Sequence, residues 1–186
     1  LPAHVPDLFA AFSDPDVMRY WDGTPMTSRA DAEAYLAGID EGFRTRTLFQ
    51  WGIALPPAGR VVGTCTLWRA ARPHGRGEIG FAVGREFWSR GYGSAAVAAL
   101  VRFAFTELAL FRLEADVDPR NERSLRLLER MGFAREGYLR ERYRVGGEVQ
   151  DSVILGLLRR DWTARESPSV DHGTPALPHS GPADRR

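Results

Sequence analysis

Hydrophobic positions recur with two different periods along this chain, and the switches between them divide it into elements. VPDLFAAFSD is helical in pattern, and DPDVMRYW continues as a second short helical stretch. SRADAEAYLAGIDEGFR opens with Ser28 and Asp31 at capping-box spacing and keeps Tyr35, Leu36, Ile39 and Phe43 on one stripe. The period then changes. LFQWGIAL and RVVGTCTLW read as strands joined by the turn residues PPAG, and GEIGFAV reads as a third strand. Residues 93–108 form a helix with Val97, Leu100, Val101, Ala104 and Leu108 on its inner face. FRLEADV is a strand, and DPRNERSLRLLERMGF a short helix with Leu125, Leu128 and Met131 inward, closed by Gly132. YLRERYRV and EVQDSVILGLL bracket Gly-Gly, a hairpin signal. The order predicts one mixed α/β domain over residues 1–162 with a largely antiparallel sheet flanked by helices. Residues 163–186, rich in Pro, Ser and Gly without an apolar period, predict a disordered tail.

Composition narrows the function classes. The 186 residues are 44% apolar and 26% charged, enough for one well-cored domain. No stretch approaches the roughly 18 apolar residues of a membrane span, and LPAHVPDLF lacks a basic-then-apolar leader, so a cytoplasmic location is expected. A net charge of +1 argues against nucleic acid or a membrane surface as the main partner. The single cysteine, Cys65, lies in the apolar run VVGTCTLW and reads as a buried structural thiol, so no metal site is expected. All 25 basic residues are arginine, and Asn121 is the only asparagine.

The candidate chemistry starts at EFWSRGYGSAA. Gly91 to Ala96 fit the dinucleotide fingerprint G-x-G-x-x-A, but GREFWSR separates the loop from its strand, and the preceding strands form a meander. A phosphate-binding P-loop needs a lysine, and there is none. What remains is the physics common to such loops. Successive N–H groups without a crowding Cβ, ending at a helix N-terminus, form an anion site, and Arg90 adds charge. A phosphate or pyrophosphate is the expected guest.

DPDVMRYW, GEIGFAVGREFWSRGYGS and NERSLRLLERMGFAREGY, followed by a hairpin and RDW, together resemble the GNAT superfamily of acyl-CoA-dependent N-acetyltransferases. Within it, the chain resembles the branch of bacterial ribosomal-protein alanine and serine N-terminal acetyltransferases, over Pro6 to Trp162. The resemblance implies acetyl-CoA as co-substrate and a splayed, mostly antiparallel sheet. Gly91 and Gly93 would fill the small positions of the pyrophosphate motif, with Trp88 where glutamine or arginine is commonest. Trp88, Ser89, Arg90, Gly91, Tyr92, Gly93 and Ser94 would wrap the pyrophosphate, and Phe81, Ala82 and Val83 would pair with the pantetheine arm. Asn121, the only asparagine, falls where the family's asparagine bonds that arm; a helix N-cap is the alternative reading, and the two are compatible. The tyrosine acid of many relatives is replaced here by Leu128. In this branch the serine at position 124 is thought to protonate the leaving thiolate; alternatively it is only a small helix residue. The family opens with a strand ahead of its first helix, so that strand is expected to be missing or truncated here. Self-association as a homodimer is an expectation by analogy alone.

The reaction would be direct attack of a neutral amine on the thioester. A backbone N–H near Phe81 or Ala82 could receive the oxyanion, and Ser124 could assist the thiolate. Strand alternation places Glu78 with Gly80 and Ala82 on one face, where Glu78 could act as base through water or be an ordinary strand-end carboxylate. An α-amine of pKa about 7.8 is neutral about 400 times more often at pH 7 than a lysine of pKa about 10.4. That favours a protein or peptide N-terminus. A small amine (aminoglycoside, polyamine or amino-acid derivative) and a non-catalytic acyl-CoA-binding module are the alternatives.

Overall fold

The computed structural model describes residues 2–21, 23–57, 59–68 and 74–166. Six strands, β1 (Leu48–Leu55), β2 (Arg60–Trp68), β3 (Arg76–Val83), β4 (Arg112–Val117), β5 (Ala134–Val145) and β6 (Glu148–Leu158), lie in the order β1-β2-β3-β4-β6-β5. Every neighbouring pair is antiparallel except β3 and β4, which run parallel and pair only from Arg76–Arg112 to Glu78–Glu114. Beyond Glu78 the two strands part.

Alternation gives each strand two destinations. Cys65, Leu67, Ile79, Leu113, Ala115, Val153, Leu155 and Leu157 turn to one face, against α4 (Tyr92–Thr106) and α5 (Glu122–Met131). Leu67, Leu113 and Leu155 lose all solvent contact there, worth about 1.5–3 kcal/mol each. On the opposite face, Val61 and Ala82 meet Val5, Leu8 and Phe12 of α1 (Val5–Phe12), Met18 of α2 (Pro15–Met18) and Ala32 of α3 (Arg29–Thr45). That second cluster covers only the β1–β3 end of the sheet. Glu114, Asp116 and Asp118 of the β4 segment share its face by alternation, and Asp116 and Asp118 line the space it leaves.

Local rules account for most boundaries. The capping box closes α3 as its spacing predicts: the Ser28 hydroxyl accepts from Asp31 N–H, and the Asp31 carboxylate accepts from the Ser28 and Thr27 N–H groups. Gly132 ends α5 at φ +100.

Three expectations are corrected. Phe43 is 38% exposed and leans edge-on against Phe49 and Trp51, because β1 passes directly under Gly42, where a Cβ would lie 2.6 Å from Leu48. On α5, Leu127 is buried, whereas Met131 is half-buried at the end of the helix. The expected tail begins too early. A sixth helix, α6 (Arg159–Glu166), passes residue 163, held by Trp162 packing on Phe105 and by the Thr163 hydroxyl donating to Arg159 O. The rest of that segment lies outside the described residues.

Candidate functional site

The site forms where β3 and β4 separate. Gly84 N–H donates to Val62 O, so the main-chain groups of even-numbered β3 residues face β2 and those of odd-numbered residues face the gap. Phe81 and Val83 therefore present their backbone to the opening, and Ala82 presents its own to β2. The Trp88 indole N–H donates to Val83 O at 2.6 Å, which leaves Phe81 as the gap-facing residue with both main-chain groups available for a guest.

After β3 the chain makes one 3-10 turn (Arg85–Phe87), then passes through Ser89 at φ +61 and Gly91 at φ +85 before entering α4. Nothing lies within 4 Å of where a Gly91 Cβ would sit; its glycine is needed for the backbone conformation. The first main-chain bond of α4 is Ala95 N–H to Gly91 O, and the helix has no side-chain cap. Among the described residues, the N–H groups of Tyr92, Gly93 and Ser94 thus have no protein acceptor. They converge on one exposed turn at the positive end of the helix dipole. This arrangement suits a diphosphate, as do the arginines around it. Arg123 lies over the Trp88 ring at 4.7 Å, and Arg126 and Arg130 follow on the same side of α5. Arg90, expected to supply the charge, does not line the cleft; its guanidinium stands over the Phe87 ring at 5.8 Å.

Two clefts meet here. The first, of about 860 Å³, runs beside the loop and is lined by six arginines against Asp16 and Glu122. The second, of about 520 Å³, lies on the sheet face that α1 to α3 leave uncovered. Its described lining holds Glu78, Asp116, Asp118 and Asp151 and no arginine. Tyr20, Trp21, Phe81, Asn121 and Ser124 line both.

Ser124 makes no hydrogen bond through its hydroxyl among the described residues, while its N–H is capped by the Asn121 side-chain oxygen at 3.2 Å. Asn121 is thus the N-cap of α5, and its amide nitrogen remains available at the junction. Leu128 is buried beneath the second cleft and offers no proton. Glu78 lines the second cleft opposite Glu114 in register, on the face shared with Gly80. Cys65 is buried and desolvation pushes its thiol up to about 12, which makes it inert.

Sequence reasoning missed Tyr20 and Trp21, which come from the turn after α2, and the acidic wall of Asp116 and Asp151. The α5 arginines, exposed on the outer side of the helix, also border the first cleft. Their spacing at 123, 126 and 130 puts them on one helical stripe, and that was the legible signal.

No group of described residues could hold a metal ion, and no described helix is long and apolar enough to cross a membrane. Residues 1–134 match the family model described as the acetyltransferase (GNAT) domain. The chain belongs to the GNAT acetyltransferase family. It is 34% identical over 151 residues to the uncharacterized N-acetyltransferase p20 of Bacillus licheniformis, covering 81% of this chain and 85% of that protein. It is 27% identical over 132 residues to the [ribosomal protein uS5]-alanine N-acetyltransferase of Escherichia coli, covering 70% of this chain and 68% of that one. The crystal structure of a GCN5-related N-acetyltransferase from Brucella melitensis superposes with a TM-score of 0.75 at 28% identity, over 87% of this chain and 74% of the other. The GNAT protein described here is therefore an acyl-CoA-dependent N-acetyltransferase with acetyl-CoA as co-substrate. The free N–H groups at Tyr92 to Ser94 and the adjacent arginines fit that anionic co-substrate.

Proposed function

We propose that this acetyltransferase modifies the N-terminal α-amine of a protein or peptide. The observation that carries the reading is the meeting of a cationic and an acidic cleft at Ser124 and Phe81. Acetyl-CoA enters the arginine-lined cleft, with its diphosphate on the N–H groups of the loop from Trp88 to Ser94. The pantetheine arm uses the gap-facing carbonyl of Phe81, because the Val83 carbonyl is already taken by Trp88. The amine approaches from the acidic cleft, where four carboxylates favour a cationic ligand.

The amine must be neutral when it attacks. The low pKa of an α-amine supplies much of that requirement, and Glu78 takes the remaining proton through water. Attack breaks the carbonyl π bond, and the Phe81 N–H stabilises the oxyanion. Collapse expels the thiolate, and the Ser124 hydroxyl, which has no competing partner among the described residues, provides its proton. The Asn121 amide nitrogen steadies the arm beside it.

Free-thiol release from acetyl-CoA, measured over peptides with free or blocked N-termini and over diamines and aminoglycosides, tests this. Free-N-terminal peptides are expected to be turned over, and lysine peptides with blocked N-termini to be inert. Turnover confined to the small amines, which the four carboxylates would also attract, overturns the α-amine assignment. Binding of acetyl-CoA without turnover of any amine overturns catalysis.

A further inference from the structure

The second cleft contains a carboxylate to which the chemistry above gives no role beyond its share of the cleft's charge. Asp116 lies on β4 beyond the point where β3 leaves it, on the sheet face shared with Glu114 and Asp118. Its side chain is only 11% exposed. One oxygen, Oδ2, accepts from the Tyr143 hydroxyl at 2.9 Å and faces Arg142 Nε at 3.5 Å. The other, Oδ1, has no partner among the described residues. Oδ1 is not itself sealed from solvent, so it stays open to a donor entering the cleft.

Two buried hydroxyls that line the same cleft add to this. Ser152, 1% exposed, is the diagonal neighbour of Asp116 across the β4–β6 pair, and its hydroxyl has no hydrogen-bond partner among the described residues. Thr66, 3% exposed, is likewise unpartnered on the opposite arm of the split sheet. Both residues line this cleft.

Tyr143 reaches Asp116 because β5 is deformed. Between Leu139 and Tyr143 the register slips, with Glu141 at φ +52. The bulge is pinned by Asp151, which accepts from the Glu141 N–H at 2.7 Å and from the Tyr138 hydroxyl. Burial first, and then Asp116, raise the Tyr143 hydroxyl above its ordinary value, so it remains a donor at neutral pH.

We propose that Asp116 Oδ1, with the Ser152 hydroxyl beside it, is the docking point for the acceptor's ammonium, and that Tyr143, set by the β5 bulge, is the residue that positions it. An ammonium carries three N–H donors, and these two oxygens are the unpartnered acceptors on one side of the cleft. The inference rests on the assignment of this cleft to the acceptor, and holds for an α-amine or a small amine alike.

The test is the acceptor KM of Asp116→Asn and Tyr143→Phe, for an alanyl peptide amide and for a linear diamine. Acetyl-CoA affinity by calorimetry reports that each variant is folded. Asp116→Asn is expected to raise the acceptor KM tenfold or more, with kcat within threefold and acetyl-CoA affinity unchanged. Tyr143→Phe is expected to raise KM three- to fivefold. An acceptor KM within twofold of wild type in Asp116→Asn overturns the proposal, as does a loss confined to kcat. Should Asp116→Asn fail to bind acetyl-CoA, an unchanged KM in Tyr143→Phe overturns it instead. Turnover of the diamine but not the peptide sinks the α-amine assignment alone, and the diamine KM then decides the role of Asp116. If neither amine reacts, calorimetric binding of both to the protein–CoA complex decides. Affinity lost in Asp116→Asn supports the docking point; equal affinity, or no wild-type binding, overturns it.

Discussion

The two clefts share a junction and are built by opposite means. The arginine-lined cleft presents main-chain groups: the N–H donors of Tyr92 to Ser94 and the gap-facing backbone of Phe81. The acidic cleft is made of side chains drawn from every strand and from the turn after α2. A backbone site tolerates changes in side-chain identity and demands conformation, so Trp88 can stand in a motif position without loss of the loop. A side-chain site changes character with each substitution. The first construction suits the co-substrate common to a family, and the second suits an acceptor that differs among its members.

The contrast can be broken most sharply at Gly93. A Cβ there would meet Leu127, Val83 and Phe81 at 3.5 to 3.9 Å, ordinary contact distances, so Gly93→Ala is expected to bind acetyl-CoA within fivefold of wild type. Gly93→Leu projects a longer chain into the cleft and is expected to weaken binding 100-fold or more, about 2.7 kcal/mol, by calorimetry. Near-normal affinity in Gly93→Leu would mean that the diphosphate is held elsewhere.

Ser124→Ala tests the junction. Turnover is expected to fall tenfold or more with acetyl-CoA affinity within twofold, and full activity removes the hydroxyl from the mechanism. Arg123→Gln tests the charge of the first cleft alone. Acetyl-CoA affinity is expected to drop three- to tenfold, with a shallower salt dependence and no change in acceptor KM. An equal effect on both substrates would deny that the clefts are electrically separate.

The smallest effect concerns the seam between the half-sheets. Burial by itself would raise the Glu114 carboxyl, but Arg112 and Arg76, bonded to it at 2.8 and 2.9 Å, bring it below its ordinary value. A carboxylate lowered on folding contributes stability that is complete above its unfolded pKa of about 4.3 and is lost as pH falls through the folded value. Between pH 6 and pH 3.5, Glu114→Gln is therefore expected to lose less Tm than wild type, by about 2–4 °C. Parallel losses in the two proteins would show that the seam does not depend on this charge.

Much of this construction was legible in the chain. Period and turn residues located each strand and the helices before them, and the glycines at 91 and 93 marked the turn that leads into α4. The capping box and Gly132 were readable because their rules are local. The acidic cleft was not, because Glu78, Asp116 and Asp151 are far apart in sequence and meet only once the strand order is known. The gap-facing role of Phe81 required the hydrogen-bond phase of β3, which residue types do not encode. Residues 163–166 were misread because one half-buried ring, Trp162 on Phe105, outweighs a polar composition.

The pairing of β3 with β4 over just three residue pairs has a mechanical consequence. It makes the sheet a vise whose fulcrum is Glu78 and Glu114, with β1 to β3 as one jaw and β4 to β6 as the other. A molecule lodged between the jaws bridges them far from the fulcrum, where leverage is greatest. Occupancy and rigidity then rise together, and force or heat should part the empty protein along this line before any other.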